Sequence, residues 1–469
     1  MKKILRITII LLLISTVFFA AGCAEKTQNT GNENQGAANQ TSPAPNGSAN
    51  MPSAPGDSAN SQGSSGSSNV TATGAYSLDG ETETNSSRTI IASNTDESGI
   101  LVTNKGTLVI SDSTVTKTGD TSSNDNSDFY GLNAGVLAEP GSTIKLSNCT
   151  ISTNANGANG VFATGTGSSV TLSDVQIKTT ADGSRGVDAT QTGNITCINV
   201  DISTKGQHCA AIATDRGRGT INVTGGTMTT AGDGSPGIYS TGTITVSDAT
   251  LSATGSEAAV IEGKNSISLT NVILSGAKKC GAMLYQSFSG DAEVGTSSFT
   301  MNAGSLKAAV GPLFYITNTQ SVIELKGAEL TATSGTLLTA SADRWGNTGS
   351  NGGNVTFKAE SEILKGNITC DNISSVEAML QNNTTLTGAI NTDNTASSIT
   401  LTLDSTSSWN VTGNSYLTSL KDEDTTLANI KDNGYTIYYD SSSGANSWLG
   451  NKTYTLTDGG KLTPITSSK

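Results

Sequence analysis

Two long polar loops carry the residues of this chain whose types are best suited to holding a sugar. The first is "QSFSGDAEVGTSS" (residues 286–298) and the second is "ASADRWGNTGSNGG" (residues 340–353). Aromatic rings stack on sugar rings, while carboxylates and guanidinium groups hydrogen-bond the hydroxyl groups. We therefore predict a carbohydrate-binding site formed by these residues: Tyr285, Phe288, Asp291, Glu293, Tyr315, Asp343, Arg344 and Trp345.

Catalysis by histidine would rest on one residue, because His208 is the only histidine among the 469 residues. Serine–histidine–aspartate triads, cysteine–histidine pairs and histidine-based metal sites would all require it. His208 lies beside Cys209 between two sequence repeats, where we expect a solvated corner residue. The sequence therefore predicts no catalytic histidine and no histidine-bound metal.

A repeat with most spacings between 22 and 30 residues must position the two loops, which follow its first segment. The copies of that segment are "GILVT" (99–103), "GVLAE" (135–139), "GVFAT" (160–164), "GVDAT" (186–190), "AAIAT" (210–214), "GIYST" (237–241), "AVIEG" (259–263), "AMLYQ" (282–286), "PLFYI" (312–316) and "TLLTA" (336–340). One spacing of 36 residues contains the insertion "GDTSSNDNSDFYG" (119–131). Each repeat holds three short strand patterns and no helical period, which predicts one coil of a parallel β-helix.

A column of asparagine, aspartate and glycine recurs three residues before the last apolar position of the repeat. Its members are Asp112, Asn148, Asp174, Asn199, Gly225, Asp248, Asn271 and Gly327. These residue types tolerate the left-handed backbone of a sharp corner. A calcium ladder is the alternative, since carboxylates bind calcium, but the asparagines and glycines favour a structural corner.

Two adjacent columns of the first segment are both apolar, although neighbouring strand residues point to opposite faces. The second column contains the charged Asp188 and the amphipathic Tyr239, so we expect it to face outward. It would then form an exposed apolar ladder that includes Phe162, Ile212, Tyr239 and Phe314. Such a ladder indicates an interaction surface, or residues covered by a corner or a loop.

The repeat and its corner resemble the right-handed β-helices of the pectin-lyase-like superfamily, including adhesin-type and autotransporter-passenger repeats, over about residues 90–415. Hydrolases of this superfamily carry an Asn-Thr-Asp stretch with several companion motifs; "NTD" occurs at 94–96 and 391–393 without them. Its pectate lyases pair calcium-binding acids with a catalytic Arg or Lys, which "TDRGRG" (214–219) and "ADRWGNTG" (342–349) resemble. These two loops would lie about five coils, or ~24 Å, apart, too far to share one active site.

The N-terminus predicts export. Lys2, Lys3 and Arg6 precede an apolar run, and "AAGC" at residues 20–23 resembles a bacterial lipobox. We therefore predict a signal peptide over residues 1–22, lipidation of Cys23, and an extracytoplasmic protein anchored by lipid to the cell membrane or cell surface. Residues 23–73 are rich in Gly, Ser, Asn and Pro, which predicts a disordered tether.

The C-terminal region differs in composition, since seven aromatic residues fall between residues 409 and 454. They are Trp409, Tyr416, Tyr435, Tyr438, Tyr439, Trp448 and Tyr454. A β-helix needs its open strand edges covered, so we predict an all-β chain with about twelve coils over residues 74–415 and a β-rich cap over residues 416–469. A sugar-binding platform is the alternative interpretation of these aromatics.

The sequence therefore favours a non-catalytic, adhesin-like surface lipoprotein that binds a surface polysaccharide or another host or cell-surface polymer. A polysaccharide lyase or glycoside hydrolase is the first alternative, and a passive stalk is the second. The net charge of −13 excludes a broad cationic surface for nucleic acid. We expect a monomer without cofactors that contacts the membrane only through its lipid anchor, with calcium as the one cofactor left open.

Overall fold

The chain forms a right-handed parallel β-solenoid of about 16 turns, and its helical content is 3%. This computed structural model describes residues 71–465. The predicted signal peptide, Cys23 and all but the last three residues of the predicted tether lie outside the described residues. The helical elements in the described range are α1 (Asn124–Tyr130) and a 3-10 helix (Gly444–Leu449), and neither is long and apolar enough to span a bilayer.

One side of the solenoid is a twelve-stranded parallel sheet, sheet A, which contains one strand from each of twelve successive coils. Its strands are β1 (Thr73–Asp79), β4 (Glu97–Thr103), β7 (Val136–Ala138), β10 (Val161–Thr164), β13 (Val187–Thr190), β16 (Ile212–Thr214), β19 (Ile238–Ser240), β22 (Ala259–Glu262), β24 (Ala282–Tyr285), β26 (Phe314–Thr317), β29 (Thr336–Ala340) and β32 (Asn367–Cys370). They correspond to the repeated first segment of the sequence.

Sheet B has 22 strands in two parallel rows that meet at the corner column. The first row is β2 (Thr82–Ser86), β5 (Thr107–Ser111), β8 (Thr143–Ser147), β11 (Ser169–Ser173), β14 (Asn194–Ile198), β17 (Thr220–Thr224), β20 (Thr243–Ser247), β23 (Ser266–Gly276), β25 (Thr296–Ala308), β27 (Thr319–Lys326), β30 (Gly353–Glu360), β33 (Ser375–Gln381), β35 (Ser398–Leu403) and β38 (Ser419–Asp422). The second row is β3 (Thr89–Ala92), β6 (Thr114–Lys117), β9 (Thr150–Thr153), β12 (Gln176–Thr179), β15 (Asp201–Thr204), β18 (Thr227–Thr230), β21 (Thr250–Ala253), the second halves of β23 and β25, and β28 (Glu329–Ala332).

Two four-stranded sheets complete the C-terminal coils. Sheet C contains β31 (Ile363–Lys365), β34 (Thr385–Gly388), β36 (Ser408–Val411) and β39 (Ile430–Lys431). Sheet D contains β37 (Ser415–Leu417), β40 (Thr436–Asp440), β41 (Tyr454–Thr455) and β42 (Lys461–Ile465). Strands β37, β40 and β42 pair in parallel, and only β41 pairs antiparallel, with β42.

The number of coils differs from the sequence prediction of about twelve, because coiling continues beyond residue 415. The parallel pairs of Tyr416 with Tyr438 and of Tyr438 with Thr463 extend the stack almost to the end of the described chain. These last coils lack the glycine-led first segment by which the repeat was recognised in the sequence. The repeat therefore underestimates the length of the solenoid.

Alternation along each strand fills the core. In β11, Val170 and Leu172 are buried, while Thr171 between them and the flanking Ser169 and Ser173 are half-buried. Val170 pairs with Ile144 in the preceding coil and with Ile195 in the next coil, so like residues stack. Residues facing inward from successive coils thus form continuous apolar columns, and their burial drives the coiling.

The corner prediction is confirmed. All eight predicted corner residues have positive φ, between 50° and 72°. Where the column alternates, the Asn side chain donates to the Asp in the preceding coil: Asn148 to Asp112 at 2.6 Å, Asn199 to Asp174 at 2.6 Å and Asn271 to Asp248 at 2.7 Å. Residues 71–465 contain no group of three or more His, Cys, Asp or Glu side chains arranged to hold a metal ion.

Candidate functional site

The two predicted sugar-binding loops do converge on one side of sheet A. The centroids of the Tyr285 and Trp345 rings lie 5.3 Å apart, and those of Phe288 and Trp345 lie 6.3 Å apart. The hydroxyl of Tyr315 donates to Asp343 at 3.0 Å. The sequence therefore identified a real cluster of side chains.

Three of the four aromatic rings of this cluster are, however, buried. The exposed fraction is 1% for Tyr285, 6% for Tyr315 and 5% for Trp345, and the Arg344 guanidinium lies over the Trp345 ring at 4.5 Å. The prediction that Tyr285, Tyr315 and Trp345 offer their rings to a sugar is therefore wrong, and Phe288 is the one ring of the cluster that stays exposed. Among the eight predicted residues, the side chains of Phe288, Glu293 and Arg344 are exposed, whereas Asp291 and Asp343 are half-buried.

The exposed apolar ladder is also corrected, because all four of its predicted members are buried: Phe162, Ile212, Tyr239 and Phe314. Ile212 pairs with Val187 and Ile238, and this register turns it into the main core. Phe314 also faces the core and packs edge-on against Phe299 and Phe357. Phe162 and Tyr239 do point outward, but other parts of the chain cover them.

The true outward column of sheet A follows from the strand register. In chain order it contains Leu101, Leu137, Phe162, Asp188, Ala213, Tyr239, Val260, Met283, Tyr315, Thr339 and Thr369. We name the part from Leu101 to Tyr315 the covered face. Apart from Asp188, the side chains of the covered face are mainly aliphatic or aromatic. Segments outside the sheet cover them, and they form two buried clusters.

The inserted segment with α1 covers the first cluster, which contains Leu101, Leu137 and Phe162. Gly131 ends α1 with φ 73°, and a β-carbon there would lie 2.5 Å from the Phe162 ring, so only glycine fits. The hydroxyl of Ser127 donates to the carbonyl of Gly157 at 2.6 Å. These contacts hold the insertion against the sheet.

A buried charged network lies beside α1. The Arg185 guanidinium contacts three carboxylates: Asp128 of α1 at 2.6 Å, Asp215 at 2.8 Å and Asp188 at 3.5 Å. Burial raises the pKa of Asp188 well above its usual range and raises that of Asp215 to about 6, against the opposing effect of Arg185. Burial thus favours the protonated form of both carboxyl groups, which are enclosed, since Asp188 is 0% and Asp215 is 5% exposed.

The loop after β16, "TDRGRG" (214–219), also holds the cover in place. The Arg216 guanidinium lies 3.6 Å from the Phe129 ring centroid of α1 and forms an ion pair with Asp291 at 2.6 Å. Arg216 thus joins the α1 insertion to the 286–298 loop. Further along that loop, Glu293 forms ion pairs with Arg218 at 3.2 Å and Lys264 at 3.1 Å.

Glu262 completes the covered face below the 286–298 loop. This carboxylate is 1% exposed and accepts hydrogen bonds from the hydroxyls of Tyr239 at 2.7 Å and Tyr285 at 2.9 Å. The hydroxyls of Ser287 and Ser289 also donate to it. Such a fully hydrogen-bonded buried carboxylate fixes the loop to the sheet.

Beyond Tyr315 the outward column becomes polar and reaches solvent. We name this part, formed by Thr339, Thr369, Asn391, Tyr416 and Tyr438, the open face. Asn391 and Tyr416 join it through the bridge between Ile368 and Ile390 and through the Tyr416 amide, which donates to the Ile390 carbonyl at 3.0 Å. Their side chains other than that of Asn391 are half-buried.

A groove of about 200 Å³ lies on the open face. Its floor includes Thr339 and Thr369, whose hydroxyls are 2.9 Å apart, and its rim includes Asp371 and Asp393. The groove contains no Lys, Arg or His among its lining residues. It is therefore a polar trough with hydroxyl groups below and carboxylates at the side.

Two tyrosines continue the open face toward the C-terminus. The Tyr416 and Tyr438 rings stack with centroids 4.5 Å apart and an interplanar angle of 10°. Both rings are half-buried, so each keeps part of its surface in solvent. In the sequence they are 22 residues apart, one coil, and this spacing is the signal that could have revealed the stack.

The buried charged network cannot be recognised in the sequence, because its members come from separate segments of the chain. Arg185 and Asp188 are close in sequence, but Asp128 lies in the insertion and Asp215 lies one coil further on. The 36-residue spacing indicated an insertion, yet nothing local shows what it packs against. The one available signal was Asp188 itself, a charge in an otherwise apolar column.

The fold and the two faces define the class of protein, a parallel β-solenoid whose outward column is covered along one stretch and open along the next. No family model, no curated protein and no solved structure matches the chain.

Proposed function

We propose that the protein is a lipid-anchored surface β-solenoid that binds a polysaccharide along its open face without cleaving it. The observation that carries the proposal is the stacked, partly exposed pair of Tyr416 and Tyr438 in line with the groove. Tyrosine rings offer a flat apolar face to a sugar ring, and their hydroxyls remain hydrogen-bonding groups.

The groove chemistry supports the same ligand class. The hydroxyls of Thr339 and Thr369, with the exposed Thr392, offer donors and acceptors at neighbouring coils about 4.8 Å apart. A long chain of sugar rings presents hydroxyl groups at regular intervals and can contact several coils at once. Repeated weak contacts of this kind give useful affinity through multivalency.

Display at the cell surface is part of the proposal. Lipidation at Cys23 and a tether over residues 23–73 would hold the solenoid away from the membrane and leave its flank accessible. A flexible segment of this length has a root-mean-square span of roughly 35–40 Å. Contact with the membrane would then occur only through the lipid.

A glycoside hydrolase is the second candidate, because "NTD" at 391–393 lies in the groove with Asp371. Against it, both oxygens of Asp371 accept backbone hydrogen bonds, from Ala342 at 2.7 Å and from Ile373 at 3.2 Å. These contacts favour a carboxylate that braces the 340–353 loop. In a glycoside hydrolase, the Asp371 carboxyl group would instead have to act as a general acid or as a nucleophile.

Binding should be tested with the soluble solenoid, residues 71–469, on an array of polysaccharides. We expect retention on at least one polymer, and a loss of about tenfold or more in affinity for Tyr416→Ala and Tyr438→Ala. Phe288→Ala is the matched control, because Phe288 is a 64% exposed aromatic residue of the 286–298 loop that does not line the groove. This substitution should change the affinity less than twofold.

Turnover should be measured on the same polymers by reducing ends and by the absorbance of unsaturated products. We expect none. Cleavage that is lost in Asp393→Asn would favour the hydrolase. Unchanged binding in both tyrosine variants would refute the open face as the site.

A further inference from the structure

The charge of the groove limits which polysaccharides it can hold. Its lining contains two carboxylates, Asp371 and Asp393, and no cationic side chain. The nearest arginine of the 340–353 loop, Arg344, lies over the Trp345 ring at 4.5 Å and does not line the groove. A ligand in this trough therefore meets negative charge only.

The two carboxylates differ in how firmly they are held. Asp371 directly follows β32, and its two backbone hydrogen bonds fix it at the edge of the groove. Asp393 is exposed, and its carboxylate accepts a 3.5 Å hydrogen bond from the neighbouring Thr392 hydroxyl. Asp393 can thus be changed without disturbing the bracing of the loop.

We propose that the open face selects polysaccharides without carboxylates and rejects uronates, a selection that rests on the proposed polysaccharide binding. An approaching uronate would place its own carboxylates beside Asp371 and Asp393, and like charges in contact oppose binding. Stacking on Tyr416 and Tyr438 requires close approach, so the uronate cannot avoid this repulsion by remaining distant. The chain's overall charge of −13 acts in the same direction at longer range.

The test uses hexasaccharides of equal length and measures affinity by calorimetry at about 0.1 M salt. The neutral probes are hexamers of glucose, mannose and N-acetylglucosamine, and the acidic probes are hexamers of galacturonate and mannuronate. We expect a neutral hexamer to bind at least about tenfold more tightly than either uronate. Raising the salt to about 0.5 M should narrow this difference, since exposed charges are then screened.

Variants locate the selection. Asp393→Asn should raise uronate affinity about threefold or more and leave neutral affinity within twofold, and adding Asp371→Asn should raise uronate affinity further. Asp343→Asn is the control, because Asp343 accepts from Tyr315 and does not line the groove. Asp393→Asn alone keeps the test valid if loss of the Asp371 brace impairs folding.

The outcomes separate the two proposals. Wild-type binding of a uronate as tight as that of the neutral hexamers would overturn the selection and leave polysaccharide binding standing. The same holds if Asp393→Asn leaves uronate affinity unchanged. Failure of every hexamer and every parent polymer to bind would overturn both.

Discussion

The covered face and the open face lie along the same outward column of the solenoid with the same coil spacing, although the open face continues past the end of sheet A into sheet D, and their outward residues differ. On the covered face these residues are mostly aliphatic or aromatic, and the α1 insertion and the 286–298 and 340–353 loops cover them. On the open face they are Thr, Asn and Tyr, which tolerate water at one end. The comparison shows that side-chain chemistry decides which part of a uniform scaffold must be covered and which part stays accessible.

The two faces also differ in how their charges are held. Arg185, Asp188 and Asp215 are buried, and with the half-buried Asp128 they bind the cover to the sheet, whereas Asp393 stands exposed at the groove rim. A buried charge without a partner costs several kcal/mol, while an exposed charge costs little. The same residue type is thus structural on one face and available for recognition on the other.

The largest expected effect concerns Arg185. Arg185→Ala leaves Asp128, Asp188 and Asp215 without their shared cation and should lower the free energy of unfolding by about 3–5 kcal/mol. Denaturant unfolding checks this value. Arg218→Ala is the control, because its ion pair with Glu293 is exposed and should contribute less than about 1 kcal/mol. Equal effects of the two variants would remove the distinction between buried and exposed charges.

A similar contrast applies to outward residues in corresponding positions. Phe162→Ala should cost about 3 kcal/mol, since it empties a fully buried site beneath α1. Thr369→Ala on the open face should cost less than about 1 kcal/mol, because only one hydroxyl contact is lost. Thermal unfolding measures both. A tolerated Phe162→Ala would mean that the cover does not pack as described.

The pH dependence of stability should come from the covered face. Because the pKa of Asp215 in the folded protein is about 6, above the unfolded value, this group stabilises the fold at acidic pH and loses its contribution as pH rises through 6. Asp188 shifts in the same direction. Asp215→Asn should therefore flatten the fall in melting temperature between about pH 4 and pH 7.

The groups that face this pair are Arg185, Asp128 and, from the loop, Asp291. Elsewhere in the solenoid, burial raises the pKa of Glu362 to about 7. The contribution of Glu362 to stability therefore changes over an overlapping pH range. Glu362→Gln is therefore the control, and its effect should add to that of Asp215→Asn. A pH profile unaffected by Asp215→Asn would contradict the assignment.

A smaller effect than that of Phe162→Ala is expected for the tyrosine pair of the open face. Tyr438→Ala removes a half-buried ring from a stacked pair, and we expect a loss of about 0.5–1.5 kcal/mol in stability. Denaturant unfolding provides the value. A loss as large as that for Phe162→Ala would show that the stack is part of the core, and would weaken it as a binding platform.

The fold could be predicted from the sequence because its determinants are local. Each corner residue, such as Asn148 or Asp174, has a left-handed conformation that its own residue type permits, and all eight predicted corners are confirmed. The inward-facing residues of sheet B could also be predicted, since apolar and polar residues alternate along strands such as β11. Local chemistry and periodicity were sufficient there.

The faces of sheet A were harder to predict, because its first segment is apolar on both sides. Alternation then does not fix the register, and the sequence predicts an outward orientation for Ile212 and Phe314 although both face the core. What covers the remaining outward residues depends on contacts such as Asp128 with Arg185, 57 positions apart in the chain. The sequence does not reveal the open face, because aromatic residues near the end of a solenoid are also typical of a cap.

The repeated corner also has a consequence for the evolution of length. Because each coil pairs with the next through the same kind of register, duplication or loss of one complete repeat adds or removes a slab about 4.8 Å thick. The groove and both ends of the solenoid would keep their own contacts. A gene of this kind can therefore change the distance between the first described coil and the open face in steps of one coil.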